Sequence, residues 1–162
     1  EVTLEEAYLG ARRLLQIGER RIEASIPPGV RTGSRVRLAG QGEPGRNGGP
    51  AGDLYLVMHV LPNPEFEREG DDLYVDAPVD IYTAILGGEA RVQTLDRPVM
   101  LHIPPRTQAG RSFRIRGKGM PHLGRPQEHG DLYARVRLVL PENLSEHEID
   151  VIRNLAAERT HA

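Results

Sequence analysis

The feature that most restricts the fold of this chain is an internal repeat. An offset of 77 residues places Val2, Ala7, Leu9 and Gly10 on Val79, Ala84, Leu86 and Gly87. The same offset places Ile26, Pro27, Pro28 and Gly33 on Ile103, Pro104, Pro105 and Gly110, and Arg37, Gly40 and Gly42 on Arg114, Gly117 and Gly119. After one inserted residue the offset becomes 78, and Gly52-Asp53-Leu54-Tyr55 falls on Gly130-Asp131-Leu132-Tyr133. The repeat is too long for a solenoid unit and occurs only twice, so it predicts two small duplicated domains.

Each copy reads mostly as strand. SRVRLAG and SFRIRGKG alternate apolar and basic residues, the pattern of a strand with one buried and one wet face. DLYLVMHVL and DLYARVRLVL read as longer strands, the former apolar on both faces. Ile26-Pro-Pro and Ile103-Pro-Pro end a strand, because proline offers no ladder donor and restricts the residue before it. Each copy also opens with a helix of about two turns: Thr3 with Glu6 has capping-box spacing, and Asp80 caps the equivalent turn, with Gly10 and Gly87 closing them. Pro62-Asn63-Pro64 interrupts pairing between the copies. The expectation is a mainly all-β chain of two tandem, β-sandwich-like domains, residues 1–63 and 64–143, followed by a C-terminal α-helix and tail, residues 144–162. Ser145 with Glu148 caps that helix, and Ile149, Ile152, Leu155 and Ala156 lie on one side of it. They face either their own second domain or a second chain. DDLYVDAP precedes the second copy but has no counterpart before residue 1, so the first domain is expected to lack a strand and the chain to be a fragment of a longer protein.

Composition removes several classes of function. The 162 residues carry 21 basic and 23 acidic side chains, a balance that argues against a dedicated binder of nucleic acid or anionic membrane. Without cysteine there is no disulfide, thiolate zinc site or cysteine nucleophile. No apolar run approaches the roughly 18 residues of a membrane span, and a cytoplasmic location is expected. Gly40-Gln-Gly42-Glu-Pro-Gly45 fits a dinucleotide-binding pattern only literally, because a loop and not a helix follows it. His122, Glu128, His129 and Asp131 share one loop and form the only candidate for a metal-dependent hydrolase. Arg12, Arg13, Arg20 and Arg21 read as either a basic rim or an ordinary charged surface.

The tracts Gly52-Asp-Leu-Tyr-Leu-Val-Met-His-Val, Phe66-Glu-Arg-Glu-Gly-Asp-Asp-Leu73, Ala84-Ile-Leu-Gly-Gly88 and Ile103 to Pro121 together resemble the C-terminal peptide-binding region of DnaJ-type co-chaperones. The likeness is to the subtype without a zinc module, since Ile17-Gly18-Glu19 runs directly on where other members insert cysteine pairs. It does not extend to an amino-terminal J domain. The resemblance implies a non-enzymatic chain without cofactor or metal that binds unfolded polypeptide and hands it to a DnaK-type partner. It further implies homodimerisation through the terminal helix by Ile149, Ile152, Leu155 and Ala156. By the same resemblance the peptide lies in a shallow apolar groove of the first domain, lined by Leu15, Ile17, Leu54, Leu56 and Met58 with Arg13 on the rim. The alternative occupant is the acidic C-terminal tail of the DnaK-type partner.

Overall fold

The computed structural model describes residues 1–160. The first unit runs α1 (Leu4–Leu9), β1 (Ala11–Ile17), β2 (Arg20–Ile26), β3 (Arg35–Leu38), a single 3-10 turn at Arg46–Gly48, and β4 (Leu54–Val57). The second runs β5 (Phe66–Glu69), β6 (Asp72–Asp80), α2 (Ile81–Leu86), β7 (Gly88–Val92), β8 (Val99–Ile103), β9 (Ser112–Ile115), β10 (Pro121–His122), β11 (Arg125–His129) and β12 (Leu132–Val139). The chain closes with α3 (Glu146–Thr160). The repeat survives in three dimensions: α1 and α2, like β3 and β9, coincide end to end under the 77-residue shift, and β4 and β12 start 78 residues apart.

Local chemistry explains these elements. The Thr3 hydroxyl accepts from the Glu6 N–H at 3.1 Å while the Glu6 carboxylate accepts from the Thr3 N–H at 3.0 Å, so the capping box of α1 is complete. Asp80 accepts from the N–H groups of Tyr82 and Thr83 at the start of α2. The Ser145–Glu148 box forms at the start of α3. The glycine motif proves to be a loop in which backbones meet. A Cβ on Gly42 would stand 2.6 Å from the Asp53 carbonyl, and one on its repeat partner Gly119 2.5 Å from that of Asp71.

Sheet topology separates the copies. In the first unit β1 pairs only with β2, and β3 only with β4, both antiparallel. In the second unit β7 and β8 form the equivalent ribbon, but β9 and β12 belong to a four-stranded sheet of order β5-β6-β12-β9, with β6 and β12 parallel. Sequence reading expects β4 to be as long as β12; instead it stops at Val57. Val136 and Met58 make matching backbone bonds, to Arg111 and Gly110 and to Ser34 and Gly33, but β12 runs on along β6 to Val139 while the first unit has the Val2 to Val60 bridge there.

One apolar core crosses both units. Val2, Leu4, Ala7, Ile26, Val30 and Met58 of the first pack in the same cluster as Phe66, Leu73, Val75, Met120 and Leu132 of the second. Polar contacts fix the junction. Arg68, on β5, donates to the carbonyls of Val30 at 2.7 Å and Gly29 at 3.1 Å, and Asp71 pairs with Arg31 at 3.0 Å and with His122 at 2.7 Å. The β10–β11 hairpin sits so close to Gly29 that a Cβ there would lie 2.7 Å from the Leu123 nitrogen and the Pro121 carbonyl oxygen.

Candidate functional site

The expected groove residues lie on the two ribbons of the first unit. Strand alternation puts Ala11, Arg13, Leu15 and Ile17 of β1 on one face, all half-buried, while Leu14 points the other way and is exposed. Across the ribbon, Leu15 stands opposite Ile22 and Arg13 opposite Ala24, both buried. On the other ribbon Leu54 and Leu56 are half-buried and paired with Leu38 and Val36, while Tyr55 and Val57 face outward. Four of the expected groove residues, Leu15, Ile17, Leu54 and Leu56, are therefore aliphatic, inward-facing and only partly covered. Met58 differs. It is a buried member of the common core and can serve as floor but not as open lining.

The second unit supplies an internal reference. Val92 and Thr94 stand where Leu15 and Ile17 stand, and Leu132, Ala134 and Val136 where Leu54, Leu56 and Met58 stand. Val92 is 1% exposed, Leu132 and Ala134 are 0% exposed, and Thr94 and Val136 are buried too. Beside β12 lie Leu73, Val75 and Ala77 of β6, all buried, whereas no described strand runs beside β4 on that side. The outer edge of β1 is likewise unpaired among the described residues.

Val36 and Leu38 share the half-buried face of Leu54 and Leu56, a place the sequence reading did not assign them. The alternation Arg35-Val36-Arg37-Leu38 already carried the signal, because it fixes their common face. Arg13 has more company than a rim residue. Its Nη2 donates to the Glu6 carboxylate at 2.6 Å and to the Glu1 carbonyl at 3.2 Å. The Thr3 backbone N–H, aided by Arg13 and the Thr3 hydroxyl against partial desolvation, holds the Glu6 carboxyl below its usual range. The other arginines of the cluster are dispersed: Arg12 reaches Glu23 at 3.5 Å on the open surface, and Arg20 donates to the Gln41 carbonyl.

The remaining candidates resolve into structural roles. His122 pairs with Asp71, and His129 bonds the Gly119 carbonyl while its ring lies 5.5 Å from that of Tyr8. Glu128 pairs with Arg125, and Asp131 with Arg114. Among the described residues, no three histidine or acidic side chains are grouped to hold a metal ion. On α3, Ile149, Ile152, Leu155 and Ala156 are all exposed, as is Val151, and no residue of the helix is buried. No described helix is long and apolar enough to cross a membrane.

Comparison with known proteins agrees with this architecture. A family profile described as the DnaJ C terminal domain matches residues 1–141. Chaperone protein DnaJ 2 of Thermus thermophilus is 46% identical over 155 residues, covering 96% of this chain and 53% of that protein. Chaperone protein DnaJ of Halalkalibacterium halodurans is 48% identical over 138 residues, covering 85% of this chain and 37% of that protein. For Chaperone protein DnaJ of Methanothermobacter thermautotrophicus the identity is 46% over 136 residues, with 84% and 36% covered. The chain thus spans about half the length of the first relative and just over a third of the other two.

Proposed function

Because this chain belongs to the DnaJ C-terminal domain family, we propose that its first unit binds non-native polypeptide for a DnaK-type chaperone in the cytoplasm. The observation that carries the reading is the half-buried aliphatic face of Leu15, Ile17, Leu54 and Leu56. An extended peptide pairs with the outer edge of β1 rather than that of β4, since the place beside β4 is the one β6 takes in the second unit. Backbone pairing is indifferent to sequence, and the face selects large apolar side chains, which unfolded chains offer and folded ones cover.

Magnitudes suit a holding role. Burial of roughly 400 Å² of apolar surface at about 25 cal/mol/Å² gives a gross gain of about 10 kcal/mol. Lost motion removes several kcal/mol, which leaves affinities of roughly millimolar to micromolar. Two grooves on one dimer raise this by effective concentration. The exposed Ile149, Ile152, Leu155 and Ala156 of α3 support dimerisation through that helix.

A peptide titration followed by backbone NMR shifts tests the reading. Shifts centred on Arg13, Leu15, Ile17, Leu54 and Leu56 are expected; shifts confined to the second unit overturn it. An acidic tail of the partner chaperone is the second ligand to consider, because Arg13 places a cation on the inner face where the second unit has Ala90. Binding that weakens markedly with salt identifies the tail, and salt-insensitive binding an apolar client.

A further inference from the structure

We propose that Glu6 sets the charge selectivity of the groove by occupying Arg13, so that a peptide carboxylate reaches this cation only by displacing a residue of the protein itself. The inference rests on the groove reading above and concerns which peptides that groove prefers. Arg13 lies on the same half-buried face as Leu15 and Ile17, and its side chain is 41% exposed. A guanidinium in that place would by itself draw acidic peptides. Instead its Nη2 donates to the Glu6 carboxylate at 2.6 Å, and the pair presents a dipole rather than a net charge.

Glu6 is held there independently of Arg13. Its carboxylate accepts from the Thr3 N–H and its own N–H donates to the Thr3 hydroxyl, which fixes the side chain on the first turn of α1. The occupant is therefore pre-positioned. The cation, in contrast, is under-used: Arg13 Nε is covered yet has no hydrogen-bond partner among the described residues. The second unit shows that the fold does not require the pair. There Thr83 replaces Glu6, Ala90 replaces Arg13, and α2 is capped by Asp80. An incoming carboxylate meets both the attraction of Arg13 and the repulsion of Glu6, and the groove is thereby tuned towards neutral apolar segments.

Glu6→Gln separates charge from structure, because glutamine at this helix position still accepts from the N-cap N–H. Two synthetic peptides serve as probes: an unstructured neutral peptide rich in leucine, and the same peptide with aspartates flanking its leucines. Glu6→Gln is expected to tighten the acidic peptide about two- to five-fold at low salt, the range of a partly exposed ion pair. The gain shrinks as salt rises. The neutral peptide keeps its wild-type affinity, and adding Arg13→Gln to Glu6→Gln removes the gain. If the neutral peptide binds but Glu6→Gln shifts both peptides equally, or neither, the charge role is overturned while the groove stands. If neither peptide shifts groove residues in the wild-type chain, the groove reading itself falls and this inference with it.

Discussion

The two units share helix, ribbon order and glycine turns, yet one is closed and the other half-open. Leu132 and Ala134 have no exposed surface, while Leu54 and Leu56, at the same places in the repeat, remain partly in contact with water. Two features accompany the difference. Strand β6 lies along β12 and brings Leu73, Val75 and Ala77 against it, while most of the repeat equivalent of β6 falls before residue 1, outside the sequence. Composition adds to this, because Arg13 stands on the inner face where the second unit has Ala90. The two copies of one ribbon plan thus differ in how far their inner aliphatic residues are covered.

The sharpest way to break this comparison is to put the same charge in both copies. Ala134→Asp buries an unpaired carboxylate and is expected to destabilise by at least about 3 kcal/mol, read in urea unfolding. Leu56→Asp should cost markedly less, and equal losses would mean that the first unit is as sealed as the second. A milder version truncates leucines. Leu132→Ala is expected to cost about 2–5 kcal/mol and Leu54→Ala clearly less, because the half-buried site loses less apolar contact. Function should show the opposite order. Leu15→Asp combined with Leu56→Asp is expected to reduce suppression of aggregation of a denatured protein at least about tenfold, or about 1.4 kcal/mol of binding. The oligomeric state of the chain should not change, and retained suppression would move the site to the second unit. Ile152→Asp on α3 should yield monomers by light scattering with weaker holding, whereas a persistent dimer would place the interface elsewhere.

The smallest expected effect is acid sensitivity of the junction. Burial pushes the Asp71 carboxyl up, but hydrogen bonds from His122 and Arg31 and their charges outweigh it, and the net shift is downward. A depressed folded-state pKa contributes stability that is present above the ordinary aspartate value of 3.8 and is lost as pH falls through the lowered one. Asp71→Asn should therefore flatten the acid limb of stability below about pH 4 and leave the slope near neutrality unchanged. An unaltered acid limb would remove Asp71 from the junction's electrostatics.

Much of this was legible in the residues. Period-two alternation and paired prolines located the ribbons, and Thr3, Asp80 and Ser145 announced their helices through hydrogen bonds that depend on near neighbours. What could not be read depended on partners distant in sequence. The buried place of Met58 depends on the cluster it shares with Phe66, Leu73 and Val75 of the second unit. The Glu6–Arg13 pair escaped for the same reason, since seven residues and a change from helix to strand separate its members. Val36 and Leu38 are the exception, since the alternation alone places them on one face.

Gly29 gives the junction its sense of direction. With a Cβ there only 2.7 Å from the backbone of the β10–β11 hairpin, even an alanine would act as a wedge at the elbow of the arm. One absent methyl group thus lets the hairpin of the second unit close onto a turn of the first, and helps set how the two units meet.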